Sequence, residues 1–398
     1  MASLPVLVLN SGSSSIKFSI YEASGSSRVQ LFEGAVEGIG TDQGQFWIKG
    51  SRHDELVNQK RALSTLSEAF SLITGALGSG DFAKPEAIGH RVVSGGPTIL
   101  ENQRITPELI DEIEQYADFA PLHTPTDVYI MREALRLFPG VPNFLCLDTW
   151  FHRTMPEVAR VLPIPHEYAA MGIRRYGAHG ISYESIIYQL QPDVPQKLIV
   201  AHLGNGASIC AIRNGASLDT SMGLTPTGGI ISATRTGDID PGVLLFILRK
   251  IAASAPSAAE AADKLEIVTS KNAGLLGVSE VSSDMRDLRS AIQSGNKQAR
   301  LAVDLFVRSI RKFIGAYIAE LGGLDMLVFT GGIGTNDVAT RAEVCGGLES
   351  LGIMLDPARN NVHGPATISV TGSPVEIRVI PPEEDLIIVN HVLRLMGS

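Results

Sequence analysis

Residues 6–21 read VLVLNSGSSSIKFSIY, with five small residues between two apolar segments. The alternation of apolar residues on either side predicts a hairpin of two strands, with Ile16, Phe18 and Ile20 on one face and Lys17 on the other. A tight hairpin needs only about two turn residues. The longer run SGSSS lets the backbone approach a ligand closely, and its N–H groups and hydroxyls can form a concave anion site. Taken alone, the run also fits a loose turn.

The same pattern returns in the second half of the chain. Residues 198–212, LIVAHLGNGASICAI, again give strand, small-residue turn and strand, with Gly204 in register with Gly12. The dipeptide Asn214–Gly215 then indicates a type I′ hairpin. This weak internal repeat of roughly 190 residues predicts two similar domains, as does a chain of 398 residues.

Strand and helix patterns alternate along the chain, which predicts an α/β fold. The predicted strands are residues 6–9, 16–20, 87–93, 143–147, 198–203 and 208–213, with a further buried strand entering a Gly-rich turn at 326–336. The predicted helices are residues 62–77, 107–116, 127–138 and 301–321.

Composition limits the partners that the protein can have. The net charge is −9 and no basic run occurs, which argues against nucleic acid or an anionic membrane surface as a partner. No apolar segment approaches the ~18 residues of a membrane span and no charged leader precedes the first strand, so we expect a cytoplasmic protein. The three cysteines are far apart and form no CxxC, which favours reduced thiols over disulfides or a zinc site.

Several short motifs place charged residues beside glycines or at the ends of strands. They are GHRVVSGG at 89–96 with Arg91, FLCLDTW at 144–150 with Asp148, YGAHG at 176–180 with His179, TRTGDIDP at 234–241 with Arg235, SSDMRDL at 282–288, and PPEEDL at 381–386. Each alone has a structural explanation, such as an ion pair, a helix cap or a structural histidine. Together they supply phosphate-binding turns, two arginines, a histidine and carboxylates for Mg²⁺, which is the set that phosphoryl transfer requires. The chain has no Walker A loop, and TGGIGTN at 330–336 lacks the spacing of a dinucleotide fingerprint.

In this combination the chain resembles the acetokinase family of short-chain carboxylate kinases, within the actin, sugar-kinase and heat-shock chaperone superfold. The matching motifs are NSGSSSIKF, GHRVVSGG, APLHTP, LDTWFHRTMP, YGAHGIS, HLGNGASICAI, DTSMGLTP, TRTGDIDPG, SSDMRDL, FTGGIGTN and PPEEDL, in family order from residue 10 to residue 386. The resemblance implies two ribonuclease-H-like domains with mixed five-stranded sheets and a nucleotide cleft between them. The first would comprise residues 1–149 with a C-terminal helix at 385–398, and the second residues 150–384. It also implies a homodimer and the reversible transfer of the ATP γ-phosphoryl group to acetate.

The resemblance also implies a role for each matching residue. Asn10 and Glu384 correspond to ligands of Mg²⁺ or its waters, with Mn²⁺ as an alternative metal, and ATP and ADP are the co-substrates. The catalytic positions are Asp148, His179 and Arg235, and Arg91 corresponds to the residue that pairs with the substrate carboxylate. The acyl pocket would be lined by Val93, Leu122, Ala178 and Pro226. The nucleotide contacts would be Lys17, His202, Leu203, Gly204, Asn205, Gly206, Asp284, Met285, Arg286, Gly332, Ile333, Gly334, Thr335 and Asn336.

A carboxylate is already ionised at neutral pH, so the nucleophile needs no strong base. We therefore expect Asp148 to orient Arg91 or a metal-bound water rather than to abstract a proton.

The chain departs from the family pattern at positions that bear on the substrate. Ser94 stands where the family usually has His, Trp150 where it has a small residue, and Ala178 where it has Phe. Gly228 and Glu280 replace a usual Glu and Gly, and GISY at 180–183 replaces GTSH. Loss of a Phe ring would open the acyl pocket and Trp150 could refill it, so propionate, butyrate or a substituted short acid competes with acetate as the substrate. The alternative of another class is a nucleotide-binding protein of the same superfold without turnover.

Overall fold

The computed structural model describes residues 3–12, 15–52, 54–78 and 82–397. The chain forms two compact units: unit 1 comprises Met1–Trp150 with Glu383–Ser398, and unit 2 comprises Phe151–Pro382. Ser13 and Ser14, at the centre of the predicted SGSSS turn, lie outside the described residues.

Unit 1 is a sheet with helices packed on it. Its strands are β1 Leu4–Ser11, β2 Ser15–Ser24, β3 Ser27–Glu37, β4 Thr41–Gly50, β5 Glu55–Leu63, β6 Ala87–Val92, β7 Gln103–Arg104 and β8 Asn143–Leu147. Its first helices are α1 Leu66–Gly78, α2 Pro107–Gln115 and α3 Thr124–Leu137. The strand order is β5-β4-β3-β2-β1-β6-β8-β7. β1, β6 and β8 are parallel, and the other neighbouring pairs are antiparallel.

Unit 2 has a second mixed sheet and more helices. Its strands are β9 Lys197–Leu203, β10 Ala207–Arg213, β11 Ala216–Thr220, β12 Met326–Thr330, β13 Ala366–Thr367 and β14 Glu376–Val379, in the order β11-β10-β9-β12-β14-β13. Its helices are α4 Glu157–Arg160, α5 His166–Ala170, α6 Gly180–Leu190, α7 Pro241–Ala252, α8 Ala258–Ser270, α9 Gly274–Ser279, α10 Met285–Gln293, α11 Lys297–Leu321, α12 Gly331–Asn336 and α13 Val338–Cys345. The last helix, α14 Glu384–Met396, belongs to unit 1.

The position of β1 follows from its apolar sequence. Residues 6–9 are all buried, and β1 pairs with β2 on one side and β6 on the other. Helix α14 packs against β6 at Gly89, where an added Cβ would lie 2.5 Å from a methyl carbon of Ile388 and 2.8 Å from one of Val392. A glycine at this point lets the helix approach the sheet, and it thereby positions the N-terminus of α14, which carries Glu384.

The core of unit 2 confirms the predicted amphipathic helix. Along α11, Phe306, Ile310 and Ile314 are fully buried against the sheet formed by β9, β10 and β12. The Asn-Gly hairpin between β10 and β11 is also confirmed, because Asn214 and Gly215 have φ of 53° and 78°, as a type I′ turn requires.

The α/β prediction with two mixed sheets and flanking helices is confirmed, but the five-stranded count is wrong. Within the described residues, the sheets have eight and six strands. Strands β3, β4 and β5 carry many polar side chains, which obscure the apolar alternation of a strand. Strands β7 and β13 have only two residues each, which is too short for any alternation to show. The helix predicted at 62–77 begins at Leu66, because Ala62 and Leu63 end β5.

The predicted Gly-rich turn at the end of β12 is helix α12 instead. The left-handed conformation of Gly331, with φ of 75°, lets the chain reverse directly into that helix. Among the described residues, none of the helices is long and apolar enough to span a membrane.

Candidate active site

The carboxyl ends of the three parallel strands of unit 1 carry a group of polar side chains. Asn10 is opposite Arg91 in the pairing of β1 with β6, and Asp148 directly follows β8. Since parallel strands end at the same edge of a sheet, these residues meet although they are far apart in sequence. We call Asn10, Ser11, Arg91, Asp127 and Asp148 the arginine cluster.

Arg91 is the centre of the arginine cluster. One terminal nitrogen donates to Oδ2 of Asp148 at 2.9 Å, and the other donates to Oδ1 of Asn10 at 3.2 Å. The side chain of Arg91 is 14% exposed and that of Asp148 is 1% exposed. Burial lowers the pKa of the Arg91 guanidinium. The negative charges of Asp148 and Glu384 outweigh this effect, so the pKa lies above its ordinary value. Arg91 is therefore a fixed positive charge at the strand ends.

Asp127, in the first turn of α3, joins two of these strand ends. Its carboxylate accepts a hydrogen bond from the hydroxyl of Ser11 and another, at 3.2 Å, from the backbone N–H of Val93. Burial raises the pKa of Asp127 to about 7, although the two hydrogen bonds and the nearby Arg91 oppose the rise. Asp127 thus fixes the end of β1 against the residue that follows β6.

The two predicted metal ligands contact each other. Nδ2 of Asn10 lies 3.2 Å from Oε2 of Glu384, the first residue of α14. The next residue, Asp385, accepts a hydrogen bond from Ser19 at 2.6 Å, and burial raises its pKa to about 6. Lys17 is exposed and lies opposite Asn10 in the β1–β2 pairing. The structure therefore groups Asn10, Lys17 and Glu384 at one point of unit 1.

In unit 2, His179 is held in an unusual backbone conformation. It precedes α6 with φ of 58°, in the left-handed region that non-glycine residues rarely adopt. The neighbouring Gly177 also has a positive φ, and a Cβ there would lie 2.6 Å from the ring of His152. Such strained positions cluster at functional sites, where the surrounding structure fixes one orientation of the side chain.

The ring of His179 stacks on that of His202, with centroids 4.2 Å apart. Nδ1 of His179 is 2.8 Å from the hydroxyl of Ser208, and Nδ1 of His202 is 2.8 Å from the hydroxyl of Ser182. The hydroxyl of Tyr183 lies 2.5 Å from that of Ser208. Both imidazoles are therefore oriented by hydroxyl groups on α6 and β10.

The predicted phosphate turn, residues 204–206, lies beside His179 and Arg235. A Cβ on Gly206 would be 3.1 Å from Nε2 of His179 and 3.3 Å from Nη1 of Arg235. Arg235 also donates to the backbone oxygen of Pro226 at 3.3 Å. A Cβ on Gly331 would lie 2.6 Å from the backbone oxygen of Leu203, so the close approach of α12 to this turn requires glycine at that position.

A fully buried arginine fixes the segment that follows β12. The guanidinium of Arg341 donates to the backbone oxygens of Gly334 and Thr335, and to the side chain and backbone of Asn360. Burial lowers the pKa of Arg341, and the nearby carboxylate of Asp337 only partly opposes the fall. Arg341 therefore fixes Gly334 and Thr335, two of the predicted nucleotide-binding residues.

Some of the other residues predicted to bind the nucleotide are exposed, and others have buried side chains. Asp284 caps α10 and forms an exposed ion pair with Arg286 at 2.6 Å. The side chains of Leu203 and Met285 lie in the hydrophobic core, which leaves only their backbone to contact a ligand. The role of residues 284–286 in binding the nucleotide stays a prediction.

Two residues that differ from the family pattern, Ser94 and Trp150, make defined contacts. The hydroxyl of Ser94 accepts from the backbone N–H of Gly96 at 3.1 Å. Trp150 donates to Glu101 at 2.8 Å, packs edge-on against His391 and lies under the guanidinium of Arg394. The Trp150 ring is thus in contact with α14, and its part in the acyl pocket stays a prediction.

In each unit, buried polar residues outside the predicted set support the polar groups described above. They include Asp127, His152, Tyr183 and Ser208. Nε2 of His152 is 3.0 Å from the backbone oxygen of Ala178, and its Nδ1 is 2.9 Å from Ser217, so Nε2 donates and Nδ1 accepts. His152 stands in the motif LDTWFHRTMP, but its partner Ala178 lies 26 residues further along the chain. Sequence patterns do not reveal such pairs.

Residues 5–390 match the family model described as the acetokinase family. The chain is 39% identical over 401 residues to the acetate kinase of Geobacillus sp. (strain WCH70), covering 98% of both proteins. It is similar to the crystal structure of Porphyromonas gingivalis acetate kinase, with 35% identity, a TM-score of 0.83 and coverage of 99% of this chain and 100% of that one. It is also similar to the structure of a propionate kinase from Francisella tularensis subsp. tularensis SCHU S4, with 34% identity, a TM-score of 0.87 and coverage of 98% and 100%.

The Asp127→Asn substitution tests the buried carboxyl. An unfolded Asp titrates near pH 4, whereas Asp127 in the folded protein has a pKa of about 7. The folded state therefore binds the proton more tightly, and this group lowers the free energy of unfolding as pH rises from about 4 to about 7. Asparagine cannot ionise, so we expect the variant to gain a few kcal/mol relative to the wild type across that range.

Urea unfolding at about pH 5 and about pH 8 measures this difference. Asp118→Asn, at an exposed position near the start of α3, is the control and should show no such pH-dependent gain. A constant difference between Asp127→Asn and the wild type at both pH values would contradict the raised pKa.

Proposed function

The chain belongs to the acetokinase family, and on that basis we propose that it catalyses the reversible transfer of the γ-phosphoryl group of ATP to acetate, giving acetyl phosphate and ADP. The observation that carries the proposal is the state of Arg91. Its terminal nitrogens are engaged by Asp148 and Asn10, while its Nε is buried and hydrogen-bonded to no other described residue. A buried donor of this kind is costly unless a ligand completes it, and a carboxylate oxygen fits a guanidinium N–H.

The chemistry needs little proton transfer. Acetate is ionised at neutral pH, and one of its oxygens attacks the γ-phosphorus while the bond to the β–γ bridging oxygen breaks. ADP leaves with the electron pair of that bond. Asp148 is already committed to Arg91 at 2.9 Å, so its role is to hold the guanidinium rather than to act as a base.

The phosphoryl group requires positive charge and hydrogen-bond donors around its equatorial oxygens. In unit 2, Arg235 and His179 both face Gly206 in the phosphate turn. We assign them to the transferring phosphoryl group. A comparable arginine contributes on the order of 10³ to 10⁵ in rate in other phosphoryl-transfer enzymes.

Mg²⁺ fits the residues at the start of α14. Glu384 offers a carboxylate and Asn10 offers an amide oxygen, which also accepts from Arg91, and Mg²⁺ prefers such hard oxygen ligands. The described residues contain no group of three or more acidic, histidine or cysteine side chains suited to a metal. The ATP phosphates and water would therefore supply the other ligands, as is usual for Mg²⁺ with nucleotides. When bound, the ion would neutralise charge on the phosphates.

Propionate is the second candidate acceptor, because Ala178 stands where the family usually has a phenylalanine. One methylene in an apolar pocket changes discrimination by about 1 to 3 kcal/mol. The residue at position 178 can therefore decide between acids that differ by one carbon. The three cysteines are buried and form no disulfide among the described residues, which supports a reducing, cytoplasmic setting for either reaction.

A homodimer is part of the proposal, and we assign its interface to α7. In α7, Val243 and Phe246 lie on one helical face and are 40% and 61% exposed, and Ile239, just before the helix, is 39% exposed. Leu245 beside them is 51% exposed. Helix α7 has no buried residue. A second copy of the same helix would cover this apolar face.

A panel of short acids with MgATP tests the proposed activity. Acyl phosphate is trapped with hydroxylamine, and we expect product with acetate and, less efficiently, with propionate and butyrate. Ala178→Phe should lower kcat/KM for propionate relative to acetate by about tenfold, because the ring takes up the space of the extra methylene.

Ala170→Phe, at an exposed position in α5, is the matched control and should leave the ratio unchanged. Absence of product with every acid would refute the kinase proposal. Equal losses of kcat/KM for acetate and propionate in Ala178→Phe would show that Ala178 does not line the acyl pocket.

Light scattering tests the dimer. A mass of about twice 42.5 kDa is expected for the wild type. Phe246→Asp should give the monomer, because the charge would be buried unpaired in the interface. Tyr188→Asp, at a residue that is 46% exposed on another helix, should keep the dimer. A wild-type monomer, or a dimer that survives Phe246→Asp, would contradict this assignment.

A further inference from the structure

A chain of hydrogen-bonding groups leads from Tyr183 through Ser208 to His179 in unit 2. The hydroxyls of Tyr183 and Ser208 are 2.5 Å apart, and the hydroxyl of Ser208 is 2.8 Å from Nδ1 of His179. Tyr183 and Ser208 are fully buried, and His179 is 8% exposed. These contacts connect a residue of α6 and a residue of β10 to the histidine that faces the phosphate turn.

The order of the protons along this chain follows from acidity. Ser208 has one proton and lies between two partners, so it either donates to His179 or donates to Tyr183. A phenol is a more acidic, stronger donor than an aliphatic hydroxyl, and a neutral imidazole nitrogen is a stronger acceptor than a phenol oxygen. The favoured order is therefore Tyr183 donating to Ser208, and Ser208 donating to Nδ1 of His179.

This order fixes the position of the proton on the imidazole. When Nδ1 accepts, the neutral ring carries its proton on Nε2. Nε2 is the atom that lies 3.1 Å from the Cβ position of Gly206. The guanidinium of Arg235, which faces the same glycine, disfavours a positive charge on this ring. A neutral N–H donor thus points at the phosphate turn.

We propose that Tyr183 is a positioning residue that acts through Ser208 to hold His179 as the neutral Nε2–H tautomer, so that His179 donates a hydrogen bond to the transferring phosphoryl group. The effect of Tyr183 on catalysis depends on the proposed kinase function, whereas the tautomer of His179 does not depend on it. The family usually has histidine where Tyr183 stands, and an imidazole there could also donate to Ser208. The left-handed backbone of His179 and the stack on His202 fix the plane of the ring, and Tyr183 fixes its proton.

Nitrogen-15 NMR of histidine-labelled protein measures the tautomer directly. The signals of His179 are identified as those lost in His179→Gln. We expect a pyrrole-type Nε2 and a pyridine-type Nδ1 in the wild type. In Tyr183→Phe, Ser208 can either donate or accept, so both tautomers should be populated. Ser208→Ala should also abolish the preference.

Kinetics with acetate and MgATP give the second measurement. We expect Tyr183→Phe to lower kcat by about tenfold with the KM for ATP within about twofold, because the lost hydrogen bond matters in the transition state rather than in nucleotide binding. Tyr183→His should restore most of the loss, since imidazole can donate to Ser208. Tyr188→Phe, at an exposed position of the same helix, is the control and should match the wild type.

Thermal unfolding shows whether each variant is folded, and Ser208→Ala provides an independent test if Tyr183→Phe is not. An Nδ1–H tautomer in the wild type, or an unchanged tautomer in both variants, would overturn the proposal. Failure of the wild type to make acyl phosphate would instead refute the kinase function, and the NMR result would still decide the tautomer.

Discussion

The ion pair between Arg91 and Asp148 is the contact on which the polar end of unit 1 depends. Asp148 is 1% exposed, and a carboxylate at this depth is stable only with a partner that offsets its desolvation. The guanidinium supplies that partner at 2.9 Å and also reaches Asn10. Removing one partner of a buried ion pair typically costs about 3 to 5 kcal/mol. The pair therefore fixes the position of Arg91 before any substrate binds.

The sheet makes this pair possible. β1, β6 and β8 are parallel neighbours, so residues near 10, 91 and 148 meet at one edge. Gly89 lets α14 approach the same sheet, and the helix brings Glu384 to within 3.2 Å of Asn10. In unit 2 the functional side chain of His179 is also fixed, but by hydroxyl groups and a left-handed backbone rather than by an ion pair. Each unit thus fixes its charged or hydrogen-bonding side chains with buried polar contacts.

Much of this could be predicted from the sequence. The α/β class and the central strands follow from uniform apolar runs such as residues 6–9 and 198–203, which leave little choice of structure. Arg91 and Asp148 could be singled out because a charge at the end of a buried strand is unusual. Residues 27–63 could not be assigned, since their strands are largely polar and lack a clear period. The roles of Asp127, Ser208 and Tyr183 could not be predicted either, because their partners are 25 to 116 residues away in the chain. Hydroxyl and carboxyl groups carry no periodic signal, so their pairing is known only once the fold is known.

A double-mutant cycle at Arg91 and Asp148 tests most directly whether the pair acts as one unit in binding the carboxylate. Asp148→Asn, Arg91→Lys and the double variant are compared by kcat/KM for acetate at saturating MgATP. Each single variant should lose at least about a hundredfold, because the guanidinium is displaced or removed, and the double variant should lose no more than the worse single variant. Losses that multiply in the double variant, or near-normal turnover in Asp148→Asn, would contradict this account.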